Sequence, residues 1–534
     1  MILTLLLLAA QAQAPLAARA DTLHRRNDAI HHDVAIVIGD TGNHIVAITQ
    51  TTWVLRSSDP IEVQLDSAFR VVRVLTDGEG ERRLGRITFA VLAAGGVYIP
   101  HHKQAGDTLH TSIRYHGPVR EGLVIRTDSA GRRTVFADNW PDRAHHWIPL
   151  EDHPSDKATV DFHVEVSAGT RVIANGRLVK IDTLPRGREL WHFTMAQRIP
   201  AYGMVIGAGP LTYAELPAAA CDIKCVPLAV LSFPEDSAWA VSVPFRQAGD
   251  MVDFFSRLVG PFPYDRLSHV QSTTIFGGVE NPTAIFYDGK AYPSRKLSPV
   301  TVAHETAHQW FGDAVTEDDW HHLWLSEGFA TYYAALWVRH AQGDSAFQEQ
   351  MRKAAQTVKQ SQVIDRPILD LAATDLMGLL NSNNYPKGAW VLHSLRGLIG
   401  DSAFNAGVRE YYRAYRDSTA LSSDFARVMS QAAGRDLEWY FRQALTQPGY
   451  PRLAVRWQYE RKRLTLTVRQ IQPEAWGRYS LPGLVFRVDG RAIPATVEGA
   501  ETVIHVDDVK QKPREIVVDP DGWWLLDSTV EEGK

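Results

Sequence analysis

The stretch VAHETAHQWFG, Val302–Gly312, decides how the rest of the chain is read. It places His304 and His308 four residues apart, with Glu305 directly after the first. Four residues on a helix advance about 400°, so both imidazoles face the same way. Glu305 stands to one side, where its carboxylate can reach a water without sharing the histidines' line. That geometry suits a metal and its attacking water. The spacing also arises by chance in a chain of 534 residues with 21 His, so it needs support from elsewhere.

A working zinc site takes three protein ligands and leaves one position open for water. The third candidate is Glu327, in WLSEGFATYYAALW (324–337). Phe329, Tyr332 and Leu336 recur there at helical spacing, with Ser326 as a candidate cap. A helix, a connection and a second helix fit between His308 and Glu327. Trp324, Leu325 and Phe329 hem in Glu327, where an unpaired carboxylate is costly to bury. A metal accounts for it better than a surface position does. Glu305 is then free to act as the base: zinc lowers the pKa of its water towards 7, and a neighbouring carboxylate takes the proton and later passes it to a leaving amine.

Outward from that centre, the chain is too long for one core, and three or four domains are expected. Hydrophobic residues make up 45% and charged residues 22%, which suits folded domains rather than disorder. A net charge of -5 without a basic block argues against a dedicated nucleic-acid binder. The first residues, MILTLLLLAAQAQA, read as a processed leader: an apolar run from Ile2 to Ala10, then Ala12-Gln13-Ala14 before Pro15. Residues 1–20 are assigned to that leader, and the protein is expected in a periplasm or outside the cell. No second apolar stretch is long enough to span a bilayer. Cys221 and Cys225, in ACDIKC, are the only cysteines and could pair locally or stay free.

Short β-branched and alternating runs fill residues 21–213, which predicts a large antiparallel β-domain. Helical periodicity dominates 214–445, with helices predicted at 237–258, 298–311, 325–340, 345–358, 387–398 and 402–415. TQPGYPRL (446–453) reads as a linker by its Pro and Gly content, and alternation returns beyond it. Residues 446–534 are therefore expected to form a small β-sandwich. The fold class is multidomain α+β.

Four ordered motifs, FGGVENP (276–282), HETAH (304–308), WLSEGFA (324–330) and NYPKG (384–388), together resemble the aminopeptidase N family of zinc metallopeptidases. Leukotriene hydrolases that also cut peptides belong to that family. The resemblance implies an N-terminal β-saddle, a thermolysin-like catalytic domain and a C-terminal β-sandwich. It implies one Zn2+ per chain held by His304, His308 and Glu327, with Glu305 as general base. Glu280 matches the glutamate that grips a substrate's free α-amino group, with Gly277, Gly278 and Val279 beside it in the substrate-binding segment. Such a carboxylate also supplies the counter-charge an exopeptidase needs for a cationic terminus. Tyr385 matches the tyrosine that stabilises the tetrahedral gem-diolate. Asp138, in DNWPDRAHHWIPLEDHPSDKA (138–158), falls where relatives place a second amine-binding residue.

Two departures stand out. Val279 replaces the common methionine at a position that lines the first specificity pocket, so the family's specificities do not transfer. Longer members continue into a helical domain that covers the site, and a more open cleft is expected here. The implied function is hydrolysis of the N-terminal bond of peptides with a free α-amino group. The rivals are a thermolysin-like endopeptidase and a non-catalytic peptide-binding protein on the same fold. His31–His32 and His145–His146 show no spaced acidic partners, His321–His322 suit a turn or helix surface, and Trp523–Trp524 suit packing. No phosphate-binding loop is present.

Overall fold

The computed structural model describes residues 16–19, 27–77, 84–86, 89–91, 95–127 and 131–533. The apolar run of the expected leader lies outside the described residues. The chain divides into two compact units: Asp21–Trp320 with Tyr412–Ala420, and Met1–Ala20 with His321–Tyr411 and Leu421–Lys534.

The first unit begins with an eight-stranded sheet, in which Asn27–Ile38 lies between His44–Leu55 and Lys157–Ser167. Its burial alternates along the strands, as a sheet with one face on the core requires. The sheet is not wholly antiparallel. Asn27–Ile38 runs parallel to Lys157–Ser167, with His31 opposite Thr159. Parallel neighbours need a long connection, and the chain between Ile38 and Lys157 supplies it.

A five-stranded sheet follows, in the order Thr212–Ala219, Val226–Ser232, Leu267–Ser272, Ala284–Asp288, Gly278–Val279. It lies inside the region read from sequence as mainly helical. Its central strands pair in parallel and are buried on both faces. VPLAVLS and LSHVQS therefore lack the alternation that marks a half-exposed strand. Cys221 and Cys225 form a disulfide between the first two strands of this sheet. The single helix predicted over 237–258 is two, Ser237–Ser242 and Ala248–Leu258, because Pro244 cannot continue the first.

The second unit carries the helices Trp324–Gln342, Asp344–Lys359, Gly388–Tyr415 as far as Tyr411, Ser422–Ala433 and Glu438–Thr446. The third of these holds the two helices predicted over 387–398 and 402–415, which are separated at Gly400, where φ is 81°. The last two were not predicted. Beyond them a four-stranded and a three-stranded sheet share one core of Leu453, Leu464, Leu466, Leu484 and Phe486, the two-layer arrangement of a sandwich. Trp523 stacks on His393 with ring centroids 4.8 Å apart, a packing role as expected.

Two motif glycines meet in this unit. A Cβ built on Gly328 would stand 2.9 Å from the Gly388 Cα and 3.0 Å from its carbonyl carbon. WLSEGFA and NYPKG thus bring their backbones together where no side chain fits. Gly328→Ala gains about 1 kcal/mol of helix propensity, but overpacking against backbone costs about 1–3 kcal/mol, and the clash wins. Urea unfolding should show a net loss of up to about 2 kcal/mol for Gly328→Ala. The control Gly249→Ala, whose Cβ meets only ordinary contacts at 3.7 Å or more, should be neutral or slightly stabilising. Equal effects from the two substitutions would show that the glycine contact is not limiting.

Candidate active site

The helix Pro299–His308 starts with Ser298 as its cap, the Oγ accepting from the Val300 N–H at 3.1 Å, and with Pro299 in its first turn. Its last two turns hold the histidine pair. The Nε2 atoms of His304 and His308 lie 3.1 Å apart. Two nitrogens bound at about 2.0–2.1 Å to a tetrahedral ion would stand roughly 3.3 Å apart, so the pair is already spaced for a shared metal. His308 Nδ1 donates to the Phe311 carbonyl at 3.0 Å, which leaves the Nε2 lone pair for the ion.

Glu327 sits in the first turn of Trp324–Gln342 and is buried. That helix is capped by Leu323 rather than Ser326, without a side-chain hydrogen bond. The Tyr385 hydroxyl donates to Glu327 Oε1 at 2.7 Å. Tyr385 itself lies on a π-helical turn, Asn383–Lys387, that leads directly into Gly388–Tyr415. His304, His308 and Glu327 each offer one ligand atom, and the three atoms lie within 4.8 Å of one another. Two imidazoles and a carboxylate are the donor set of a catalytic zinc, so these residues fit the metal that the motif implies.

A second convergence involves Glu280, Glu305 and His308, whose ligand atoms also lie within 4.8 Å of one another. Glu280 follows the edge strand Gly278–Val279, which pairs antiparallel with Ala284–Asp288. Both glutamates are buried. The close fit extends to Gly278, where a Cβ would come 2.2 Å from Glu305 Oε1. Gly277 differs, since a Cβ there meets nothing within 4 Å. Val279 is buried on the edge strand.

Sequence reading missed the residue that ties the two segments together. Gln309, immediately after HETAH, donates through Nε2 to the Glu280 carbonyl at 2.6 Å and to Asp313 Oδ2 at 2.7 Å. Its Oε1 accepts from the Thr283 N–H at 3.0 Å. Thr283 has φ 69°, a left-handed conformation that a β-branched residue rarely adopts. Asn175 adds a hydrogen bond to the Pro282 carbonyl at 2.8 Å, and the Thr283 hydroxyl accepts from the Gly176 N–H at 2.7 Å. The only signal in the sequence was a buried-type amide beside the histidines. Burial, reinforced by the negative charge of Glu280, pushes the Asp313 carboxyl well above its ordinary range.

Asp138 is buried and paired with Arg143 at 2.8 Å. Burial raises its carboxyl pKa against the opposing pull of Arg143. The Arg143 guanidinium lies 5.9 Å from the Phe276 ring centroid, and Trp140 packs edge-on against the same ring. The Asp138 pair thus borders the first residue of FGGVENP.

The set-aside histidines behave differently from expectation in two places. His321 and His322 form a turn but are buried: His321 bonds the Ala373 carbonyl at 2.9 Å, and His322 bonds Ser422 at 2.8 Å. His145 and His146 do have acidic partners, Asp152 at 2.9 Å and Asp66 at 2.7 Å, which are brought in by folding rather than by spacing.

Two outcomes follow from this geometry. The purified protein should hold close to one zinc per chain, and the double variant His304→Ala, His308→Ala should hold none; a full complement in that variant removes the assignment. Gly278→Ala should keep the metal and the fold while displacing Glu305. Its kcat should fall roughly 10²-fold or more, within the range of a misplaced general base. A parent-like kcat with a correctly folded variant would show that Glu305 tolerates the displacement.

The sequence profile of the Peptidase family M1 domain matches residues 247–443. Similar proteins include a probable aminopeptidase 1 of Sulfurisphaera tokodaii, 25% identical and covering 64% of this chain and 45% of its own length. A leucyl aminopeptidase of Saccharolobus solfataricus is 25% identical over 74% of this chain and 52% of its own. An aminopeptidase N of Streptomyces lividans is 26% identical over 75% of this chain and 45% of its own. The chain spans about half the length of these curated relatives. The crystal structure of an M1 zinc metallopeptidase from Deinococcus radiodurans superposes with a TM-score of 0.69 at 25% identity, covering 80% of this chain and 95% of that one. A mutant of that protein, bound to a Tyr-Ser-Ala substrate, matches with the same TM-score. With the histidine pair, Glu327 and the fold in agreement, residues 247–443 of the chain carry a Peptidase family M1 domain.

Proposed function

We propose that the protein is an aminopeptidase that removes the N-terminal residue from peptides with a free α-amino group. The observation that carries this reading is the pair of buried carboxylates, Glu280 and Glu305, converging within 4.8 Å of each other beside His308. Two carboxylates at that separation repel by roughly 3–4 kcal/mol at an effective dielectric of about 20. A substrate ammonium on Glu280 relieves the repulsion and fixes the first peptide bond beside the metal ligands. The relatives named aminopeptidases and the tripeptide-bound neighbour support the same substrate class.

His304, His308 and Glu327 would hold a zinc ion, which would supply Lewis acidity and lower the pKa of a water towards 7. Glu305 accepts the proton of the attacking water and returns it to the departing amine. Tyr385, whose hydroxyl donates to Glu327 at rest, turns its donor to the oxyanion as the carbonyl becomes tetrahedral. Gln309 and the strained Thr283 hold Glu280 in place, so the ammonium site is formed before substrate arrives.

Export is also inferred, supported by the apolar leader and by the Cys221–Cys225 disulfide, a bond favoured in oxidising compartments. N-terminal sequencing of protein recovered from the source cells should begin beyond Ala14, and recovery of intact Met1 in the cytosol would remove this inference.

The parent enzyme should cleave free aminoacyl substrates and act poorly on their N-acetyl counterparts, which lack the cation. Glu280→Ala should lower kcat/KM on the free substrates roughly 10²-fold or more, through positioning as much as affinity. Matched free and acetylated peptides measured on both proteins decide the matter. Comparable rates on the two by the parent would favour an endopeptidase and take Glu280 out of the amine-binding role.

A further inference from the structure

We propose that a cavity beside Lys387 binds a small monovalent anion of about the size of chloride or formate. The cavity, about 60 Å³, lies within the second unit, where the helices Gly388–Tyr415 and Glu438–Thr446 meet the C-terminal sandwich. Lys387 is 5% exposed. Among the described residues its Nζ makes one hydrogen bond, a long 3.4 Å contact to the Gln447 carbonyl. No acidic side chain is among the described residues that line the cavity. An ammonium taken from water without a counter-charge either gives up its proton or recruits an anion.

The other lining groups show which of these the cavity is built for. The Trp390 indole Nε1 and the Gln447 Oε1 are buried without a hydrogen-bond partner. The tyrosine hydroxyls are committed elsewhere: Tyr440 to the Val391 carbonyl at 2.6 Å, Tyr479 to the Pro448 carbonyl at 2.7 Å, and Tyr450 to Asp527 Oδ2 at 2.9 Å. The Gln443 amide is occupied at both ends by the Ser480 backbone. Lysine and indole are donors only, so these two ask for an acceptor, whereas Gln447 Oε1 is itself an acceptor as it stands. Rotation of the Gln447 amide presents its Nε2 as a third donor. A bound water satisfies hydrogen bonds but brings no charge. The volume suffices for a few waters at about 10–15 Å³ each, hence for a monatomic or triatomic anion, but not for gluconate.

Burial alone holds Lys387 down at about 7, so anion binding and proton retention are coupled there. The remaining titratable groups facing the cavity are Tyr450, pushed up to about 12, and Tyr440 and Tyr479, raised further by burial. Behind Tyr450, Asp527 is paired with Lys359 at 2.6 Å. Lys387 is therefore the group whose charge changes near neutrality. The site is independent of the peptidase reading, although Lys387 shares the π-helical turn of Tyr385.

The test compares the melting temperature of the full chain in sodium chloride and in sodium gluconate at equal ionic strength. At pH 6 and 100 mM salt, chloride should raise Tm by roughly 3 °C over gluconate, and the difference should vanish above about pH 8 as Lys387 loses its proton. Lys387→Met should show no chloride-specific shift, and Trp390→Phe should weaken chloride several-fold. Crystals grown in sodium bromide should show an anomalous peak within hydrogen-bond reach of the Lys387 Nζ. That measurement keeps the proposal testable should Lys387→Met fail to fold. Equal melting of the parent in both salts, or a bromide-free cavity, would overturn it.

Discussion

Glu280 and Glu305 are buried within 4.8 Å of each other, and that repulsion is the constraint around which the first unit is arranged. Left to itself the pair would separate or take up a proton. The fold prevents separation by tying down the backbone on both sides. Gln309 reaches from the histidine helix to the Glu280 carbonyl and to the Thr283 N–H, and Asn175 holds the Pro282 carbonyl. Thr283 keeps a left-handed φ that it would not hold unaided. Local strain at Thr283 accompanies the close approach of the two buried carboxyl groups.

The same economy of space explains the glycines of the motifs. Gly278 leaves room for the Glu305 carboxylate, and Gly328 and Gly388 let two backbones touch. Each glycine stands beside a residue with a proposed chemical role: Gly278 near Glu280, Gly328 after Glu327, Gly388 three after Tyr385. The demand for glycine at each is steric rather than conformational, since none of the three has a positive φ. A methyl group at any of them acts first on the position of its neighbour. Gly277 is the contrast, because the space above it is open and nothing in its surroundings forbids a side chain.

Hydrogen bonds to the metal-ligand candidates are arranged in advance as well. His308 is oriented by the Phe311 carbonyl, only three residues further along the chain. Glu327 accepts from Tyr385, which is 58 residues away in sequence. The first bond is local and follows from how the helix ends. The second depends on a π-helical turn placing an aromatic hydroxyl with Pro386 beside it. Partners of this kind fix the orientation of a ligand before an ion arrives and tune its basicity.

The sequence by itself determined the metal-donor set His304, His308 and Glu327, and it nominated the other residues of the candidate centre. Helical periodicity is enough to put His304 and His308 on one face, because an i,i+4 relation is a property of the helix alone. The ordered motifs add Glu327, Glu280 and Tyr385, and alternation reveals the β-rich ends of the chain. Only the tertiary structure decided the rest. The five-stranded sheet whose edge strand leads into Glu280 was hidden because strands buried on both faces do not alternate. The acidic partners of His145 and His146, the burial of His321 and His322, and the Gln309 clamp all join residues by folding rather than by spacing. Local pattern encodes which face a side chain takes, whereas its partner across the fold depends on how distant segments pack.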